Sequence, residues 1–159
     1  MFQFEYLNRQ KMKSQKQFLE QLETFAKGLP PSHQYALETR NGNYLNASYF
    51  EFLEQNRLIP VLVQGYWMPP VTEVYGKWEK LLKRQSAVVF RLQGPDRQVI
   101  EKETGKSWDR IVAPKDDELP GIVKIVKDLL DDDVNVYVNV NNHYEGCAPL
   151  TIERITSLF

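Results

Sequence analysis

Residues Phe2-Gln3-Phe4-Glu5-Tyr6 alternate apolar and polar side chains, the period of a half-buried strand. The period then lengthens. Phe18, Leu19, Leu22, Phe25 and Ala26 recur at helical spacing, with Ser14 as opening cap and Gln17 three residues on as a capping-box partner. Gly28 and the pair Pro30-Pro31 end that helix. A strand over residues 35–38 follows, then a turn at Asn41-Gly42-Asn43 and a helix over roughly residues 47–55, with Ser48 and Glu51 near its start. Residues 58–63 form an apolar run that reads as a buried strand with Pro60 at its entrance. Pro69-Pro70 marks a loop, and a shorter helix covers about residues 74–83. Residues 87–92 are the next strand, and about residues 93–115 the longest irregular stretch. Asp116 or Asp117 is placed to cap a helix presenting Leu119, Ile122, Val123, Val126, Leu129 and Leu130, which Asp131-Asp132-Asp133 ends in solvent. A strand over residues 134–140 and a helix over residues 151–158, with Pro149 near its start, complete the chain.

Strands rich in Val, Leu and Ile that alternate with helices predict an α/β fold, a parallel sheet covered by helices. The chain has 159 residues, with no linker, repeat or low-complexity segment, and reads as a single domain over residues 1–159. Its 20 basic and 21 acidic residues exclude a globally basic nucleic-acid binder and leave a local basic patch open. One cysteine, Cys147, excludes a disulfide framework and a multi-cysteine zinc module; it reads as a packing residue near a helix start. The longest apolar runs, such as residues 59–63, are far too short to span a bilayer. Met1 leads straight into strand alternation, without the basic region and apolar stretch of a leader, so a cytoplasmic setting is expected.

The closing segment Val136-Tyr137-Val138-Asn139-Val140-Asn141-Asn142-His143-Tyr144-Glu145-Gly146-Cys147-Ala148-Pro149 resembles the signature of the YecE-like family, domain of unknown function 72. Tyr35-Ala36-Leu37-Glu38-Thr39-Arg40, Phe2-Gln3-Phe4 and Phe90-Arg91-Leu92-Gln93-Gly94 resemble the same family in the same order, so the likeness runs over essentially the whole chain. The resemblance implies a partial (β/α)8, TIM-barrel-like fold in which about five parallel strands correspond to the fourth to eighth of the family barrel. Barrels of this kind run to ~250 residues. An open five-stranded unit leaves two edges and one face to be covered. The expectation is therefore that a preceding N-terminal segment completes the barrel. Self-association and an open sheet standing alone are the alternatives.

Ligands of parallel α/β folds meet the carboxyl ends of the strands. The polar residues there are Gln3, Glu5, Glu38, Arg40, Gln64, Arg91, Gln93, Asn141, Asn142, His143 and Glu145, with Tyr66 and Trp67 just beyond the third strand and Gly94 and Arg97 in the loop after the fourth. Glu38 and Arg40 share a face by period two. They read either as a rim ion pair or, with Arg91, as a guanidinium clamp for an anion. Asn141-Asn142-His143 reads either as a hydrogen-bonding network fixing a strand-to-helix turn or as a site base with its orienters. Glu145 reads as a polariser of His143 or a second base. The aromatics Tyr66, Trp67 and Trp108 either stack a ligand or pack on the rim. Two histidines are too few for the multi-metal phosphodiesterase barrels, His33 lies before its strand, and no metal and no cofactor is expected. The expected partner is a small polar or anionic ligand. An enzyme of this layout would hydrolyse its substrate or run another acid/base reaction, with Glu38, His143 and Glu145 carrying protons and Gln3, Arg40, Gln64, Trp67, Arg91, Asn141 and Asn142 holding ligand. A nucleic-acid-binding or phosphodiesterase-like barrel and a non-catalytic binding or scaffold domain are the alternatives.

Overall fold

The computed structural model describes residues 1–65, 67–94 and 97–159. Five strands, β1 (Phe2–Gln3), β2 (Tyr35–Glu38), β3 (Leu58–Gly65), β4 (Ala87–Gly94) and β5 (Asn135–Val140), alternate with helices. The helices are α1 (Gln15–Lys27), α2 (Ala47–Gln55), α3 (Val71–Leu82), α4 (Arg97–Thr104), α5 (Leu119–Asp131), α6 (Asn142–Glu145) and α7 (Ala148–Ser157), and a 3-10 turn spans Gly42–Tyr44. Among the described residues, no helix is long and apolar enough to cross a membrane.

Local chemistry sets most of these boundaries. Ser14 caps α1 by accepting from Gln17 N–H at 3.2 Å, while the Gln17 side chain reaches back to Lys13 N–H at 3.1 Å. Helix α2 spans the predicted residues, but its cap is Asn46, which accepts from Tyr49 N–H at 3.2 Å, and not Ser48. The stretch expected to be irregular contains α4. That helix is short and buries only Ile100 and Thr104, too few apolar positions to reveal a period. Helix α5 starts without a side-chain cap, because Asp116 is drawn away to Arg154. Ile125 joins the buried face of α5, whereas Leu130, expected on that face, is exposed. Asp132 is tied to Lys83 at 2.9 Å, so the acidic run does not simply sit in solvent.

All four strand pairings are parallel, and the spatial order β1-β2-β3-β4-β5 follows the sequence. Sequential order with right-handed crossovers puts every helix on the same side of a sheet, which is barrel logic. Side-chain parity agrees. Leu37, Leu58, Leu62, Val88, Phe90 and Leu92 point into the helix-covered core with Tyr49, Phe50, Leu82, Ile122 and Leu129. Ile59, Val61, Val63, Ala87 and Val89 form a separate cluster on the opposite, concave face. On that face β5 contributes Asn135, Tyr137 and Asn139, which are exposed. A fully buried Leu or Phe contributes about 1.5–3 kcal/mol, so the convex layer carries most of the stability.

Two glycines join the carboxyl ends of β3 and β4 to the start of α6. Gly65 (φ +120°) lies opposite Gly94, where a Cβ would come within 2.6 Å of the Gly94 carbonyl oxygen. Gly94 (φ +79°) lies under α6, where a Cβ would meet the His143 carbonyl oxygen at 2.1 Å. Both positions combine a left-handed backbone with a close approach that only hydrogen permits. Gly94→Ala should therefore lower unfolding free energy by about 3 kcal/mol or more. Gly76→Ala, inside α3 with nothing within 4 Å, should raise it by about 0.5–1 kcal/mol. Urea titrations of the two variants check both signs.

Candidate functional site

Period two places Gln3 of β1, Glu38 and Arg40 at the end of β2, and Arg91 and Gln93 of β4 on the concave face. Glu38 is completely buried. Its Oε1 forms an ion pair with Arg40 Nη2 at 2.7 Å, and its Oε2 accepts from Arg91 Nη1. Arg91 Nη1 also donates to Gln3 Oε1 at 2.9 Å. With its amide turned to suit these neighbours, Gln93 Oε1 accepts from Arg91 Nε at 3.1 Å and Nη2 at 2.8 Å. One carboxylate thus holds two guanidinium groups across three strands, and two neutral amides complete the set. Tyr49 lies beneath, its hydroxyl donating to the Leu37 carbonyl at 3.3 Å. Burial, and then the Glu38 charge, push its phenol far above the ordinary range.

This network borders a cavity of about 610 Å³ lined by Gln3, Glu5, Tyr6, Arg40, Gly42, Trp67 and Met68. Its walls are fixed from the loop after β2. Asn41 Oδ1 accepts from Leu7 N–H at 2.8 Å and its Nδ2 donates to the Leu7 carbonyl at 2.9 Å, pinning the chain that carries Glu5 and Tyr6. Gly42 lies against Pro69, where a Cβ would be 3.0 Å from Cδ, so the Trp67–Met68 turn rests on the same loop. Glu5 is paired with Lys11 at 2.5 Å. Trp67 is 96% exposed.

The other expected site residues lie in different surroundings. Gln64 faces the helices: parity puts Val63 on the concave side and its neighbour on the convex one. Its Oε1 accepts from Val71 N–H at 2.9 Å at the start of α3, and its Nε2 donates to Glu118 at 2.7 Å. Asn141 Oδ1 accepts from His143 N–H at 2.9 Å, and Asn142 Oδ1 from Ala148 N–H at 2.8 Å, so the pair caps α6 and α7. Glu145 is completely buried. Its Oε1 accepts from Lys115 N–H at 2.6 Å and pairs with Arg154, and its carbonyl accepts from Val112 at 2.8 Å and Ala113 at 3.1 Å. It fastens the segment before α5 to α6 and α7, and does not reach His143. The His143 ring meets Trp108 edge-on at 4.9 Å, and its Nε2 lies 3.4 Å from Glu101 Oε1. The Arg97 guanidinium beside Glu101, with a smaller contribution from His143, holds that carboxyl below the usual carboxylate range. Glu38, His143 and Glu145 therefore occupy three separate bonding environments. Tyr66 falls outside the described residues. Among the described residues, no group of three or more His, Cys, Asp or Glu side chains is arranged to hold a metal ion.

Tyr6 and Met68 line the cavity without having been expected there, and Gln93, expected only as one of the polar strand ends, is a partner of Arg91. Period two marks that pairing. Tyr6 and Met68 lie in irregular backbone, where no periodicity tells which way a side chain points.

A sequential parallel sheet with its helices on one side and a polar cluster at the carboxyl ends defines a partial β/α barrel. The chain belongs to the family described as "Protein of unknown function DUF72", whose profile matches residues 1–159. Its fold is similar to that of a DUF72 family protein of Thermotoga maritima MSB8, with a TM-score of 0.62 at 21% identity over 90% of this chain and 52% of that one. A DUF72 family protein of Enterococcus faecalis V583 gives a TM-score of 0.56 at 18% identity over 89% of this chain and 53% of that one. The chain thus spans about half the length of these relatives. No protein of curated function matches it.

Glu145→Gln should destabilise the fold by about 1–3 kcal/mol, because the buried acceptor of Lys115 N–H and Arg154 becomes a neutral amide while Arg154 keeps only Asp116. Thr156→Ala, on the exposed side of α7, should stay within about 0.5 kcal/mol of the parent. Denaturant midpoints distinguish the two outcomes.

Proposed function

We propose that the hollow at the carboxyl ends of β1, β2 and β3 binds a small molecule through an anionic group, with Arg40 as the guanidinium in its wall and Arg91 held beside it on Glu38. The observation that carries this reading is the convergence of both arginines on the single carboxylate of Glu38 beside an open cavity that Arg40 lines. A guanidinium presents several N–H donors in a planar fork, so Arg40 can engage Glu38 through one edge and meet a phosphate or carboxylate with another, while Arg91, whose Nη1 serves Glu38 and Gln3 and whose Nε and Nη2 face Gln93, has one Nη2 N–H left to offer. Glu38, with both oxygens engaged and no exposure, holds the two arginines in place and does not itself meet the ligand. Gln3 and Gln93 fix the rotation of the Arg91 fork. The placement of Glu38, His143 and Glu145 in separate environments lends no support to shared acid/base chemistry, so binding is the reading the geometry favours.

Thermal unfolding in phosphate, sulfate or citrate, against sodium chloride at matched ionic strength, tests it. A ligand at ten times its Kd adds ~1.4 kcal/mol, or about 3–5 °C in Tm for a domain of this size. Arg40→Lys and Arg91→Lys keep the charge but lose the fork, and should each cut that affinity by about tenfold. An identical melting curve in all four salts, or an anion effect equally strong in both lysine variants, overturns the reading.

A further inference from the structure

We propose that the ligand of this hollow carries a planar apolar ring beside its anionic group, held between Tyr6 and Trp67; this deepens the anion-binding reading above and rests on it. The starting observation is the exposure of the two aromatics. Trp67 is 96% and Tyr6 64% exposed, and both line the cavity that Arg40 borders. Indole and phenol side chains left in water forgo much of the stabilisation their burial would supply, and rings of this kind are the ones proteins use to grip planar ligands.

The backbone explains why the two rings belong to one site. The tripeptide Arg40-Asn41-Gly42 organises all of it. Arg40 brings the guanidinium to the cavity edge. Asn41 clamps both backbone groups of Leu7 and so fixes the chain next to Tyr6. Gly42, by having no Cβ, lets Pro69 approach and seats the turn that bears Trp67. The aromatic walls and the cationic end therefore all bear on three consecutive residues, against which the fold brings Leu7 and Pro69. A volume of about 610 Å³ suits a ring with a short anionic arm. Glu5, in the same wall, disfavours a second anionic group near Tyr6 even though Lys11 is paired with it. The class is an aryl or heteroaryl monoester of phosphate, or an aromatic carboxylate, and the shared chemistry is one anion attached to one flat ring.

Titration calorimetry on the full chain, with phenyl phosphate, inorganic phosphate, benzoate, acetate and phenol as probes, decides it. Phenyl phosphate should bind about tenfold more tightly than inorganic phosphate, or benzoate than acetate, since one aromatic stack is worth roughly that factor. Whichever pair shows the larger ratio identifies the anion. Trp67→Ala should remove the ring advantage while leaving the affinity for the simple anion within about twofold, and Trp67→Phe should restore most of it. The exposure of Trp67 makes the loss of folding an unsuitable explanation, and a far-ultraviolet spectrum of each variant checks that. Equal affinity for ringed and ringless anions, or a ring advantage that survives Trp67→Ala, overturns the inference while leaving the anion site standing. Phenol binding as tightly as phenyl phosphate overturns the anion reading, and this inference with it. Absence of binding by every probe overturns both.

Discussion

The carboxylate of Glu38 is the constraint around which the concave side is arranged. A fully buried charge costs several kcal/mol unless it is compensated, and here the compensation comes from Arg40, two residues on, and from Arg91 of the distant β4, with Gln3 of β1 bound to Arg91. The cluster therefore couples three strands through side chains as well as through the sheet ladder. It also divides the concave face. Towards the amino ends, Ile59, Val61, Val63 and Val89 make it apolar, and towards the carboxyl ends it becomes a fixed set of donors. A preorganised guanidinium loses little further freedom when a ligand arrives, which is what distinguishes such a site from a pair of surface arginines.

Next to this cluster, the carboxyl ends of β3, β4 and β5 are tied to one another and to the helices that follow. Gly65, Gly94 and the His143 carbonyl stack in contact, Asn141 and Asn142 cap two successive helices, and Glu145 secures the segment leading into α5. Tyr144 and Gln64 meet on Glu118 in the same layer. Burial of the Tyr144 ring, reinforced by the neighbouring Glu118, raises its phenol well above the ordinary range, so it stays a neutral donor there. The most recognisable stretch of the sequence is thus occupied with its own hydrogen bonds. The cavity lies instead beside the β2 loop and the turn after β3, where Trp67 and Tyr6 stand exposed.

Much of this architecture was readable from side-chain period alone. Strand β2 and helix α2 fall where the alternation and the helical spacing put them, and the shared face of Glu38 and Arg40 follows from period two. Helix α4 escaped because its apolar positions are too few to define a face. Gln64 was grouped with the site because it ends a strand, although parity sends it to the helices. Glu145 was grouped there by nearness to His143, although a one-turn helix turns the two side chains apart and Arg154 claims the carboxylate.

What this sequence determines by itself is the order of elements, their alternation and the face on which each strand residue lies. Those are local properties, set by repeat distance along the backbone and by caps and breakers a few residues away. The partners of Glu38, the pairing of Glu145 with Arg154 and the meeting of Tyr6 with Trp67 at one cavity were decided only by tertiary structure. Arg91 reaches Glu38, and Trp67 shares a cavity with Tyr6, only when residues dozens of positions apart are brought together, while Arg154 meets Glu145 across the break between α6 and α7; no short-range pattern encodes which charge or ring will arrive at a given place.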